Sequence, residues 1–467
     1  MVVMRVAVIG GGIVGAAAAH VLSGRGVSVT VVDGSYEGQA TRAGAGIVCP
    51  WVDHPDDEDW YRLTREGARR YPRLMAELSA ESGYARVGAL LVAEDPGDLE
   101  PVRALLKRRH AEAPEMGEVT SVAAPSSLFP PLAEDLCALL VPGAARVDGR
   151  AVRDALLRAA VRQGAEVVTG TAGLTPDGQV LVRDVRESDA AGRVAGVAPG
   201  PADQESWRQA TPDPARRAPG GSASGVAVPP VLGGPPRGMA GPPAASESPS
   251  GGAGQEKDRR HGVAGEGSGV PSCTEEDVVA GGEVADAHER FTAEGTPLDA
   301  DVVIVAAGAW TGEVCRDLGV ELPVFPRRGQ IVHATLEGAD TSRWPIVLPH
   351  AGPYLLGFPG SRVVVGATVE DVGFVPRVTL GGLNEVLQAG LRVAPGLFGA
   401  VVAETRVGLR PGHAPGPPLI ARLTDRVVVA TGLSAYGLTA GPFAGLVAAA
   451  LALGEEPPID VSPYRPR

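Results

Sequence analysis

The N-terminal segment carries two hydrophobic periodicities in succession. Val6–Ile9 is a short apolar run that reads as a buried strand, and Gly10–Gly15 breaks it as a turn. Ala16–Ser23 has helical propensity, and Val27–Val32 is a β-branched run ending at Asp33. Farther along, Trp60, Leu63, Ala68, Tyr71, Leu74 and Leu78 recur at near-helical spacing and predict an amphipathic helix over 58–83. A strand is expected at Val87–Val92. A helix follows over Asp148–Gln163, with Ala151, Leu156, Ala160 and Val161 on one face, then a strand at Glu166–Thr169. Asp301–Ala306 reads as a fully buried strand. Gln330–Ala334, Tyr354–Phe358, Arg362–Gly366 and Val427–Ala430 are further strands, and a last helix is expected after Gly441. Strands alternating with helices around a glycine turn predict an α/β fold with a doubly wound, Rossmann-like domain.

Composition changes this picture in one place. The chain has 64 Gly and 42 Pro in 467 residues, about twice the roughly 12% of an average chain. Residues 191–270 hold 29 of them and a single aromatic, Trp207. Such a stretch buries too little apolar surface to offset its chain entropy. An insertion over about 187–290, mostly disordered, is therefore expected. A net charge of −13 argues against nucleic acid and against a polybasic membrane anchor. Cys49, Cys137, Cys273 and Cys315 show no metal-ligand spacing, so no metal is expected, and a reducing cytoplasm suits them. Arg5 and the glycine cluster interrupt the apolar N-terminus where a signal peptide would be continuous. Gly441–Gly454, the longest apolar stretch, is shorter than the roughly 20 residues of a membrane span.

The sharpest chemical signal is Gly10-Gly11-Gly12-Ile13-Val14-Gly15, between a strand and a helix, with an acid, Asp33, 23 residues after Gly10 at the end of the next strand. This is the context a dinucleotide-binding turn requires. Gly10 permits the turn, Gly12 admits a pyrophosphate against the backbone, and Gly15 lets helix and strand approach. The helix N-terminus offers free N–H groups to the phosphates. Asp33 suits ribose hydroxyls and disfavours a 2′-phosphate. The turn alone does not separate FAD from NAD. The small residues of Ala43–Gly46 and the strand Val302–Trp310, which runs into Ala306, Ala307 and Gly308, supply further points of close backbone approach, as an extended cofactor such as FAD needs.

These features, with Ala40–Pro50, Val147–Gly164, Pro326–Gln330, Gly366–Glu370, Gly408–Pro411 and Ala430–Gly445, occur in one order. In that order the chain resembles the D-amino-acid oxidase family of FAD-dependent amine and amino-acid oxidoreductases, which includes glycine oxidase, sarcosine oxidase and D-amino-acid dehydrogenase. The resemblance implies an FAD domain built from 1–84, 146–186, 291–322 and 403–467. It implies a substrate domain with a large mixed sheet from 85–145 and 323–402, and the insertion stands apart at 187–290. It implies that Gly10, Gly12, Ile13, Val14 and Gly15 meet the pyrophosphate and that Asp33 and Gly34 lie near the ribose. Ala40, Thr41, Arg42, Ala45, Gly46 and Ile47 would run beside the cofactor, Gly173 would meet the adenine, and Ala307 and Gly308 would make a second small-residue contact. Ser434, Ala435, Tyr436, Gly437, Leu438 and Thr439 would form the turn beside the flavin ring.

For the substrate, the resemblance implies that Arg410 grips a carboxylate and Tyr354 hydrogen-bonds it, which suits a planar two-point guanidinium. Ala435 stands where glycine oxidase has a second arginine, which argues against glycine itself. Pro411-Gly412 stands where some sarcosine oxidases link their flavin through Cys, so the FAD is expected to be non-covalent. The implied reaction is hydride transfer from a substrate α-carbon to flavin N5. It gives an imine that hydrolyses to an oxo acid plus ammonia or an amine, with oxygen or a quinone as the acceptor. Three rivals stay open: an NAD-dependent dehydrogenase, a flavoenzyme acting on a larger amine such as a modified nucleoside, and a non-catalytic flavin-binding subunit. Of the other polar residues, His20 reads as structural, and His54, His350 and His413 are loop residues able to line a pocket. Trp51 reads equally as pocket or core, and Cys49 as a small buried residue.

Overall fold

The computed structural model describes residues 3–34, 36–78, 82–183, 295–414 and 416–466. Strand β1 (Arg5–Ile9), helix α1 (Ile13–Ser23) and strand β2 (Ser28–Asp33) form the expected opening unit. β1 and β2 pair in parallel, and β1 also pairs in parallel with Val302–Val305, with Val6 opposite Val302. The full sheet runs Leu419–Arg422, Val427–Thr431, Val302–Val305, β1, β2, Glu166–Thr169. Only its first strand is antiparallel to its neighbour. Alternate residues face opposite sides, as strand geometry dictates. Val6, Val8, Val29, Val31, Ile304 and Val428 pack under α1, Glu58–Leu78, Gly149–Arg162 and Gly437–Leu453. Ala7, Ile9, Val303, Val305 and Val429 pack on the other side, against Ala172, Leu174 and Val180 of a three-stranded sheet.

A second, eight-stranded mixed sheet has the order Val401–His413, Val324–Thr335, Arg362–Gly366, Tyr354–Phe358, Ile346–Pro349, Ala89–Ala93, Cys137–Val141, Thr120–Val122. Ile346–Pro349 and Ala89–Ala93 pair in parallel, and the other pairs are antiparallel. Val324–Thr335 extends well beyond the expected Gln330–Ala334, because it pairs along its whole length with Val401–His413. That edge strand had no clear apolar period in the sequence, and the helix Leu380–Val393, whose leucines recur at helical spacing, was not anticipated. The edge strand begins before residue 403, where the resemblance put a domain boundary, and belongs wholly to this sheet.

Helix ends also differ from expectation. α1 begins at Ile13 rather than Ala16, since Gly12 caps it in an extended conformation and Ile13–Gly15 form its first turn. Val161 is 50% exposed and so lies off the packed face of its helix. The last helix starts at Gly437, not after Gly441, and tolerates Pro442. Proline removes the N–H that would bond the Leu438 carbonyl. That carbonyl instead accepts the hydroxyl of buried Tyr71. With the preceding turn, Ser434–Leu453 is long and apolar enough to cross a membrane, but most of it is buried within the protein.

Val180–Arg183 and Thr296–Leu298 pair antiparallel, Val182 opposite Thr296. The chain thus leaves from the central strand of the small sheet and re-enters on the edge strand beside it. The insertion expected over 187–290, with Trp207 and Cys273, lies outside the described residues.

Candidate active site

The strand ends deliver backbone to one cavity. Gly10 has φ +100°, and a Cβ there would lie 2.5 Å from the Ala306 carbonyl oxygen. Only glycine fits that crossing of β1 with its neighbour. A Cβ on Gly15 would fall 1.9 Å from the Gly10 carbonyl oxygen, so Gly15 sets the approach of α1 to the turn. The first turn of α1 lines the cavity with Ile13 and Val14, at the helix end whose dipole favours anions. Thr41 Oγ1 accepts from the Ile13 N–H at 3.0 Å and ties the next loop to that turn.

Asp33 is 7% exposed and already paired. Gln39 Nε2 donates to Oδ1 at 3.1 Å and Arg153 Nη2 to Oδ2 at 2.5 Å. Arg153 Nε also donates to the Gly11 carbonyl at 2.8 Å, linking the acid to the glycine turn.

At the other end of the cavity, Arg410 reaches across Gly329, where a Cβ would lie 2.3 Å from its guanidinium. Arg410 Nη1 donates to the carbonyl oxygens of Thr368 (3.0 Å) and Arg328 (3.3 Å). Behind it, Thr368 and Gln330 donate to Glu370 at 2.6 and 2.7 Å, and Arg328 pairs with the same carboxylate. Burial opposes ionisation of Glu370, but these donors hold its pKa below the ordinary carboxylate value. Burial pushes the Tyr354 hydroxyl up, and the hydrogen bond with Arg410 works against that.

One wall is formed by the loop around Cys49, Val52 and Asp53 and by the Ser434–Tyr436 turn. Burial pushes Asp53 up to about 7, against a hydrogen bond from Tyr436 and the charge of Arg109. Burial also raises the Cys49 thiol, with Asp53 adding to the effect.

Gly10, Gly12, Ile13, Val14, Asp33, Gly34, Ala40, Thr41, Ala45, Gly46 and Ile47 line this one cavity. So do Ala307, Gly308, Tyr354, Arg410 and all of Ser434 to Thr439. Three sequence-named residues do not. Gly15 packs helix against turn. Arg42 is exposed and presents its carbonyl to Arg150 and Arg406. Gly173 is paired within its strand, and Gly170, Thr171 and Ala172 line the wall instead. Of the loop histidines, none is on the lining. His54 stacks on Trp60 at 4.7 Å, His350 is exposed, and the His413 ring bonds the Pro417 carbonyl at 2.7 Å. Trp51 belongs to the core, 2% exposed, and Cys49 reaches the cavity. Gln39, Arg153 and Asp53 were missed. Gln39 and Arg153 are single polar residues with no chemical motif of their own. Asp53 stands in a run with Asp56, Asp57, Glu58 and Asp59 that reads as solvated surface.

The family described as DAO, FAD dependent oxidoreductase, matches residues 5–220 and 264–451. The chain belongs to this family. As an FAD-dependent oxidoreductase it is similar over nearly its whole length to two further proteins. One is an uncharacterised oxidoreductase, YurR, of Bacillus subtilis (strain 168), 33% identical over 98% of this chain and 97% of that one. The other is the crystal structure of iminodiacetate oxidase from Chelativorans sp. BNC1, 35% identical, with TM-score 0.73 and 99% of both chains covered. Glycine oxidase of Pseudomonas putida is 33% identical over 38% of this chain and 47% of its own. The flavoprotein's cavity fits FAD. It has a glycine turn at a helix N-terminus, backbone crossings that a Cβ would block, and small residues along both walls.

Proposed function

We propose that this flavoenzyme oxidises an amino acid or secondary amine that carries a carboxylate, with Arg410 and Tyr354 holding that carboxylate. The observation that carries the reading is a guanidinium anchored on carbonyl oxygens beside a half-buried phenol, in the same cavity as the dinucleotide turn. Carbonyl partners orient the guanidinium without cancelling its charge, so its fork stays available to an anion. Gly10, Gly12, Ile13, Val14, Asp33, Gly34, Ala40, Thr41, Ala45, Gly46, Ile47, Ala307, Gly308 and Ser434 to Thr439 would hold FAD. When bound, the flavin supplies a two-electron acceptor for the hydride of the substrate α-carbon, and the imine product hydrolyses in water. The protein's own part is to fix the carboxylate, exclude water with Val52, Ile331 and Leu348, and deliver a neutral amine. Oxygen or a quinone then takes the electrons. The similarity to iminodiacetate oxidase along 99% of the chain favours a secondary amine, and Ala435 in place of a second arginine disfavours glycine.

Arg410→Ala is expected to raise KM for a carboxylate substrate roughly 10- to 100-fold, the loss of a charge-assisted bidentate contact. Steady-state kinetics checks this, and an unchanged KM contradicts the assignment.

A further inference from the structure

The cavity holds a second ionisable group that no motif marked. Asp53 follows Cys49, Trp51 and Val52, which share an apolar cluster with Ile331 and against which Leu348 and Tyr354 pack. Asp53 therefore stands at the same end of the cavity as Arg410 and Tyr354. Its loop is held rigidly. Arg109, 8% exposed, donates to the carbonyl oxygens of Trp51 (2.9 Å), Asp53 (2.5 Å) and His54 (2.6 Å), and its guanidinium lies 3.6 Å from the Tyr61 ring centre. His54 takes φ 53° and is sandwiched against Trp60 and Tyr436 at 4.7 and 4.4 Å. Tyr436, on the turn that also lines the cavity, gives its hydroxyl to the Asp53 carboxylate. A strained residue and a tripled arginine contact around one loop are the marks of an orientation imposed by the fold.

We propose that Asp53 is the residue that reads the amine of the substrate and takes its proton. This rests on the carboxylate-clamp reading given above. A substrate amine enters as the ammonium ion, whose nitrogen lone pair is occupied. One N–H bond breaks, an O–H bond forms on Asp53, and the lone pair returns to nitrogen. Only then does the α-carbon surrender its hydride to the oxidant that the family's FAD supplies. The proton remains on Asp53, so charge and atoms balance. Arg410 and Asp53 give this end of the cavity one cationic and one acidic group, matched to a zwitterion.

The groups facing Asp53 are Tyr436 from its turn, Arg109 from helix Glu100–Arg109, and Cys49 and His54 from its own loop. Burial holds the Cys49 thiol and the Tyr436 hydroxyl protonated and keeps His54 neutral down to about 4. Asp53, at about 7, is the one of these that changes charge between pH 6 and 8.5.

The test uses the holoenzyme and (methylthio)acetate, a carboxylate with a thioether in place of the amine, titrated by calorimetry. An anionic probe favours protonated Asp53. Wild-type Kd is expected to rise about tenfold from pH 6.5 to 8.5, with proton uptake on binding near pH 7.5. Asp53→Asn is expected to abolish both the slope and the uptake. Tyr436→Phe, which removes a donor to the carboxylate, is expected to move the slope to higher pH, and Asp53→Glu to keep one. A flat wild-type profile, or an Asp53→Asn profile with the same slope, overturns the proposal. Arg410→Ala serves as the separate control. If it binds the probe as tightly as the wild type, or the wild type does not bind it, the carboxylate clamp itself fails.

Discussion

Asp33 and Arg410 line one cavity, and the fold treats their charges differently. Asp33 faces a cation, Arg153, and an amide, Gln39, so its charge is compensated beside the glycine turn. Arg410 faces carbonyl oxygens and a phenol, which direct it and leave its charge for a ligand. Two histidines show the cost of burial directly. His333 is 2% exposed, and burial, with Arg406 adding to it, lowers it to about 4. His54 is lowered to about 4 by burial. Each is neutral in the fold, while the unfolded chain takes up a proton near 6.5. Stability from this source is therefore present above about 6.5 and is lost as pH falls toward 4. By pH 5 each histidine is expected to cost about 2 kcal/mol. Thermal unfolding of His333→Leu from pH 7 to 5 checks this, since the variant should lose less Tm over that interval than the wild type. Asp53 is a residue whose role only the folded chain reveals. In sequence it is one acid among several, and it gains its character when Tyr436, far along the chain, closes over it.

At the scale of elements, legibility followed burial. Val6–Ile9, Val302–Val305 and Val427–Thr431 are covered on both faces, so their residues are uniformly apolar and their ends stand out. Val401–His413 is half exposed and carries Glu404, Arg406 and Arg410, so no period of two emerges and its strand character comes from pairing with Val324–Thr335. Gly10 and Gly15 of the fingerprint were legible because close backbone approach admits no other residue, whereas the wall at Gly170–Ala172 uses backbone of no distinctive type. The last helix shows one element completing another. Pro442 frees the Leu438 carbonyl, and Tyr71 from helix Glu58–Leu78 satisfies it. Gly67 of the same helix allows the contact, since a Cβ there would lie 2.3 Å from the Thr439 carbonyl oxygen. Tyr71→Phe is expected to cost about 1–3 kcal/mol by leaving that buried carbonyl unpaired. Denaturant unfolding reads it, and because Leu438 and Thr439 line the cavity, FAD affinity should fall with it.

At the scale of the whole molecule, two sheets assembled from separated segments meet at one cavity, and the insertion enters and leaves at a hairpin on the small sheet. Val182 and Thr296 are paired neighbours, so a short turn can join them. Replacing 184–294 by such a turn is expected to leave FAD bound with unchanged stoichiometry, read from flavin absorbance of the purified protein. Loss of the flavin would make the segment part of the fold. The carboxylate clamp makes a direct demand on the cavity's choice of ligand. Anaerobic mixing of the holoenzyme with D- and L-amino acids, glycine, N-methylglycine, iminodiacetate and proline derivatives, each beside its decarboxylated amine, tests that choice. The flavin is expected to bleach with at least one amine carboxylate, most readily a secondary one, and Arg410→Ala to shift half-saturation upward at least tenfold. Bleaching by a decarboxylated amine as readily as by its carboxylate, or by no amine at all, would contradict that expectation.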